Sequence, residues 1–136
     1  MVCYINKPNG GTEMSQDLLV KEGPLYNLTV EIFEKMGMDK SSAELEAKSL
    51  LWSNIRGIDS HGVQRIEMLN SLLKNGGMNV NYNLKVVTER PATVLIDADR
   101  APGAVSATHA MKLAIEKAKT YGRPIKPSLP IWTGTA

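Results

Sequence analysis

The densest run of chemically able side chains is Arg56-Gly57-Ile58-Asp59-Ser60-His61-Gly62-Val63-Gln64-Arg65. If a helix starts near Ser60, His61 and Arg65 stand one turn apart on one face, beside the unpaired N–H groups and positive end of the helix dipole. Arg65 can grip a carboxylate with two parallel hydrogen bonds, Ser60 can add a hydroxyl, and a neutral His61 imidazole can donate one proton. Those groups together suit the carboxylate end of a small 2-hydroxy or 2-oxo acid. The same residues have a plainer reading: Asp59 and Ser60 as helix caps, Gly57 and Gly62 as turn formers, Arg56 and Arg65 as solvated charges. Spacing alone leaves both readings open. Ser60 and His61 do not form a nucleophile–base pair, because neighbours in sequence point in different directions and no third orienting group is identifiable. The second histidine, His109, shares a helical face with Lys112, Glu116 and Lys119 and reads as a solvated surface residue.

For the run to act as a unit, two helices must meet around it. Leu25, Leu28, Ile32, Phe33 and Met36 follow helical spacing, with Gly37 as a stop. Ser41 followed by Glu44 predicts a capping box for a second helix, which Leu45, Ala47, Leu50, Leu51 and Trp52 carry toward Arg56-Gly57. A third, capped by Asp59 or Ser60, carries Val63, Ile66, Leu69, Leu72 and Leu73 until Asn75-Gly76-Gly77. Residues 15–77 thus read as a three-helix unit, preceded by a flexible arm over 1–14.

The period then changes. Leu84–Thr88 and Thr93–Asp97 are β-branched-rich runs that predict a hairpin turning over residues 89–92. A fourth helix follows on Val105, Ala107, Ala110, Met111, Ala114, Ile115 and Ala118, with Gly122 to close it. Leu95, Met111 and Ile115 are expected to lack cover from so few strands. Beyond Gly122, Pro124, Pro127 and Pro130 recur every third residue, so residues 123–136 read as an irregular proline-rich tail. The fold class is α+β.

Sixteen basic and 14 acidic residues give a net charge of +2 over 136 residues, and 43% of residues are hydrophobic. That balance belongs to a globular protein, is too weakly basic for a dedicated nucleic-acid binder, and leaves no window for a membrane span. Among the third helix's cations only Arg65 and Lys74 could meet DNA, and Glu67 opposes them. The single cysteine, Cys3, permits neither an internal disulfide nor a cysteine zinc site, which predicts a reducing, cytoplasmic setting and no metal.

The run 56–65 resembles the signature of the malate/L-lactate dehydrogenase family, which also includes ureidoglycolate and sulfolactate dehydrogenases. Flanking features agree in order: Met36-Gly37-Met38, Leu72–Gly77, Thr93–Asp97 and Ala110–Ala118, so that the resemblance spans about residues 15–122. It implies an oxidoreductase that moves a hydride between NAD or NADP and a small 2-hydroxy or 2-oxo acid. It also implies a homo-oligomeric, dimeric complete protein and a core other than the doubly wound dinucleotide fold. In such a protein Ser60, His61 and Arg65 would bind substrate, residues 15–77 would be the substrate-side domain, and 78–122 would begin the nucleotide-binding core. The family continues with a Ser-x-His-Phe-Gly type segment whose histidine carries the proton, and then most of the nicotinamide site; residues 123–136 hold neither. The catalytic residue is therefore unknown here, no cofactor-binding residue is assigned, and an amino-terminal fragment or short product, inactive alone, is the expectation. The rival from another class is a small non-enzymatic protein-interaction module using the exposed helices and the tail.

Overall fold

The computed structural model describes residues 2–5 and 18–121. In chain order it comprises β1 (Val2–Ile5), β2 (Leu18–Lys21), α1 (Glu22–Lys35), α2 (Lys40–Ile55), two 3₁₀ turns (Asp59–His61 and Val63–Arg65), α3 (Ile66–Lys74), β3 (Lys85–Arg90), β4 (Thr93–Asp97) and α4 (Gly103–Tyr121). The elements separate into two compact units, residues 1–81 and 82–136. No described helix is long and apolar enough to cross a membrane, and no described cluster of His, Cys, Asp and Glu could hold a metal ion.

In the first unit α1 and α2 pack side by side. Ala43 and Ala47, both fully buried, let the backbones approach closely enough to enclose Phe33, with Met38, Leu50 and Met78 completing the cluster. Half-buried Ile66, Leu69 and Leu73 bring α3 against it. A smaller cluster joins Leu25 to Leu51.

Helix α1 departs from the predicted stripe at one position. Leu28 is 54% exposed, and Thr29 takes the inward place between Leu25 and Phe33 at i, i+4 and i+8. The polar residue is tolerated there because its hydroxyl donates to the Leu25 carbonyl at 2.7 Å. Trp52 and Leu72 of the predicted stripes are also exposed, and Trp52 carries the Arg56 guanidinium 4.0 Å above its ring.

The start of α2 corrects the predicted capping box. Asp39, not Ser41, is the N-cap: its Oδ1 accepts from the backbone N–H groups of Ser41 at 3.0 Å and Ser42 at 3.1 Å, and both serine hydroxyls donate to the same carboxylate. These bonds, first from the Ser41 hydroxyl and then from Ser42, lower its pKa from 3.8 to about 2. A depressed carboxylate stabilises the folded state above its ordinary pKa and loses that contribution as pH falls through the folded value. The charge-dependent part of the cap is thus at full strength above about pH 4 and mostly lost by pH 2, where the carboxyl is half protonated. Asp39→Ala is expected to lower stability by about 1 kcal/mol at pH 7, and by little at pH 2, in urea unfolding followed by circular dichroism. Equal losses at both pH values would show that the carboxylate charge has no part in the cap.

The amino terminus also differs from expectation. Where a loose arm is predicted over 1–14, Val2–Ile5 pair antiparallel with Leu18–Lys21, Val2 opposite Lys21 and Ile5 opposite Leu18, and β1 lies alongside α2. The pairing partners are 13 to 19 residues apart in sequence, and no local period announces such a ribbon. Residues 6–17, Gly122 and the proline-rich stretch 123–136 lie outside the described residues.

In the second unit β3 and β4 form an antiparallel hairpin with Lys85 opposite Asp97, Arg90 opposite Thr93 and a bulge between Val86 and Thr88. β4 has the predicted bounds, while β3 starts one residue later and runs two residues further than predicted, leaving Pro91-Ala92 as the turn in place of residues 89–92. Buried Lys117 of α4 fixes this end, its Nζ donating to Glu89 Oε1 at 2.7 Å and to the Arg90 carbonyl at 2.9 Å. Leu95, Met111 and Ile115 are 46–48% exposed, as the count of strands predicts.

Candidate functional site

Helix α2 ends one residue before the run that the sequence singles out. Gly57 adopts φ +72°, a conformation open to glycine at little steric cost, so that its N–H bonds the Asn54 carbonyl at 3.0 Å and the Ile58 N–H bonds the Ser53 carbonyl at 2.9 Å. The chain then makes two 3₁₀ turns separated by an extended Gly62. They are closed by the His61 N–H on the Ile58 carbonyl at 3.0 Å and the Arg65 N–H on the Gly62 carbonyl at 3.0 Å.

This geometry corrects two expectations. The third helix begins at Ile66, five residues after His61, so His61 and Arg65 lie on separate turns and not one α-helical turn apart. Neither Asp59 nor Ser60 caps a helix. The reason lies in Asn54, whose side chain is 1% exposed and holds both turns. Its Nδ2 donates to Asp59 Oδ1 at 2.7 Å, and its Oδ1 accepts the Val63 N–H at 2.8 Å. A carboxylate can only accept and an N–H can only donate, so these partners fix the orientation of the amide. The Asp59 carboxylate and Val63 N–H that could have joined a helical start are both taken.

Gly62 explains how the amide fits. A Cβ built there would stand less than 3 Å from the Oδ1, Cγ and Nδ2 atoms of Asn54. Its φ of −92° suits any residue, so glycine is required by close approach and not by backbone conformation. Asn54 is not among the residues that the sequence singles out. The available signal was its place seven residues after Ala47, in register with the apolar stripe and one turn before the glycine-rich run.

Ser60 and His61 are exposed on the first turn and, contrary to the expectation that these neighbours point in different directions, Ser60 Oγ lies 3.1 Å from His61 Nδ1. When the hydroxyl donates to Nδ1, the neutral ring carries its proton on Nε2 and has an N–H to offer a ligand. Half-buried Arg65 has its Nη2 3.6 Å from Met68 Sδ, and among the described residues no carboxylate pairs with its guanidinium. Arg56 turns back over Trp52. His109 is half-buried on α4 in the second unit, beside the exposed Lys112 and Glu116 of the same helix, and so is less solvated than its spacing predicts. An open groove of about 580 Å³ lies nearby in the first unit, lined by Ile32, Lys35, Met36, Val63, Gln64, Ile66, Glu67 and Asn70; Ser60, His61 and Arg65 are not among its walls.

The family profile described as malate/L-lactate dehydrogenase matches residues 20–125. A malate dehydrogenase of Pyrococcus abyssi is 36% identical over 103 residues, which cover 76% of this chain and 28% of that protein. The L-sulfolactate dehydrogenase of Methanocaldococcus jannaschii is 36% identical over 105 residues, covering 77% of this chain and 30% of that protein. The solved structure of malate dehydrogenase from Pyrococcus horikoshii OT3 superposes with a TM-score of 0.74 at 33% identity, covering 88% of this chain and 30% of that one. The chain thus spans under a third of the length of these relatives.

Proposed function

The chain belongs to the malate/L-lactate dehydrogenase family, and from that premise we propose that its two 3₁₀ turns bind the carboxylate of a small 2-hydroxy or 2-oxo acid for hydride transfer with NAD or NADP. The observation that carries this reading is the disposition of Ser60, His61 and Arg65: two exposed hydrogen-bonding groups in mutual contact and, among the described residues, a guanidinium with no carboxylate partner. Arg65 supplies the planar fork, while His61, held by Ser60, supplies a single N–H to a substrate oxygen. Their task is alignment of the acid. The nicotinamide supplies or accepts the hydride when bound; no described residue is assigned to hold it, and none is assigned as proton carrier.

The finer parts of the reading go with it. Residues 15–77 serve as the substrate-side domain and 78–122 begin a cofactor-binding core that is not doubly wound, supported by the lack of a Gly-x-Gly-x-x-Gly run after a strand. The complete protein is a homo-oligomer working in a reducing, cytoplasmic setting, for which the single cysteine speaks. The 136-residue chain by itself is expected to oxidise no NADH or NADPH with pyruvate or oxaloacetate. The family match favours this reading over a non-enzymatic interaction module.

The test is a pyruvate titration of the ¹⁵N-labelled chain, followed at the His61 ring and the Arg65 Nε. Binding is expected to shift both. Arg65→Lys should weaken it about tenfold to a hundredfold, because one ammonium cannot reproduce the two parallel bonds, a loss of roughly 1.5–3 kcal/mol. Lys112→Ala, an exposed cation of α4, is the control and should change nothing. Equal affinities for the two variants would return Arg65 to the status of a surface charge.

A further inference from the structure

We propose that Asn54 is a positioning residue for the substrate carboxylate, a role that rests on the reading of Ser60, His61 and Arg65 given above. Nothing in the side chain's location lets it touch a ligand: it is 1% exposed, on the inner face of α2. Its influence passes through the two bonds it makes to either side of the site. The bond to Asp59 anchors the residue next to Ser60 and His61, and the bond to the Val63 N–H anchors the chain two residues before Arg65.

Those two bonds do what neither turn can do alone. Each three-residue 3₁₀ turn is closed only by its own short backbone bonds, the N–H groups of His61 and Gly62 on the Ile58 and Asp59 carbonyls and those of Arg65 and Ile66 on the Gly62 and Val63 carbonyls, and no backbone bond among these joins one turn to the other across the extended Gly62. One amide spanning Asp59 and Val63 sets the angle between the turns, and hence the relation of the imidazole to the guanidinium. An amide is the side chain that fits: it donates to a carboxylate and accepts from an N–H at once, which neither aspartate nor leucine of similar size can do. Gly62 leaves the space in which it lies.

The experiment uses the whole chain with Asn54→Ala and the near-isosteric Asn54→Asp, which keeps the acceptor for Val63 but loses the donor to Asp59. Two quantities are read by NMR: hydrogen exchange of the Val63 amide, relative to amides within α2, and the pyruvate titration at His61 and Arg65. In Asn54→Ala the Val63 amide is expected to exchange at least about tenfold faster and pyruvate affinity to fall about tenfold, the scale set by losing a charge-assisted bond. Asn54→Asp should keep more of the Val63 protection yet still lose affinity, and it carries the test if the alanine variant does not fold. A folded variant with faster Val63 exchange but unchanged affinity would make Asn54 merely structural and overturn the proposal, leaving the carboxylate site standing. Unchanged exchange and affinity would overturn it as well. If the wild-type chain shows no pyruvate-dependent shift at His61 or Arg65, the carboxylate reading fails and this inference with it.

Discussion

Replacing Gly62 by alanine is expected to lower the stability of the first unit by about 3 kcal/mol, although glycine's special conformational freedom is not used there. The new methyl carbon would overlap the Asn54 amide, and that amide has nowhere to go, since it is buried and bonded at both ends. Moving it breaks the bond to the Asp59 carboxylate and the bond to Val63, and leaves buried polar groups unmet. The same substitution in an Asn54→Ala background removes the obstacle, so the second change should add less than about 1 kcal/mol there. Urea midpoints of the four chains of this cycle check the expectation. Strictly additive losses would mean that the two residues do not meet as the geometry requires. Alanine at Gly57, by contrast, would meet no heavy atom within 4 Å, and its penalty would come only from φ +72°.

Phe33→Ala should lower stability by about 3–5 kcal/mol, enough to leave much of the first unit unfolded at 37 °C. Phe33 has no exposed surface and is enclosed by side chains from α1, α2 and the segment around Met78, so the cavity cannot be refilled by small shifts of one neighbour. Leu28→Ala, on the same helix, should change stability by less than about 0.5 kcal/mol because Leu28 is 54% exposed. Thermal and urea unfolding followed by far-ultraviolet circular dichroism would measure both. Comparable losses in the two variants would place Leu28 in the core and contradict the observed stripe of Leu25, Thr29 and Phe33.

That contrast marks how far the amino-acid sequence can be read. Helical spacing put Leu28 and Phe33 on one face, yet they are five positions apart, and a helix turns 100° per residue. Which edge of an apolar stripe is covered depends on what packs against it. A threonine able to satisfy its own hydroxyl took the central place. Likewise α4 was legible from its period, but burial of Lys117 was not, because its stabilising partners come from the hairpin 27 and 28 residues away.

The sequence alone determined the helix ends at Gly37, Gly57 and Asn75-Gly76, because these depend on backbone freedom within a few residues. It also determined the hairpin, the fourth helix and the run in which Ser60, His61 and Arg65 lie. Period and local conformation are properties of a short stretch and need no knowledge of the rest. Only the tertiary structure decided that the run folds as two 3₁₀ turns instead of a helix start, and that Val2–Ile5 pair with Leu18–Lys21. The first outcome hangs on one buried amide reaching Asp59 and Val63 through the space that Gly62 leaves, the second on strand partners whose matching no local period encodes. Both are set by which atoms the folded chain brings together, and hydrogen-bond partners chosen by proximity override the local preference of Asp59 and Ser60 for a helix cap.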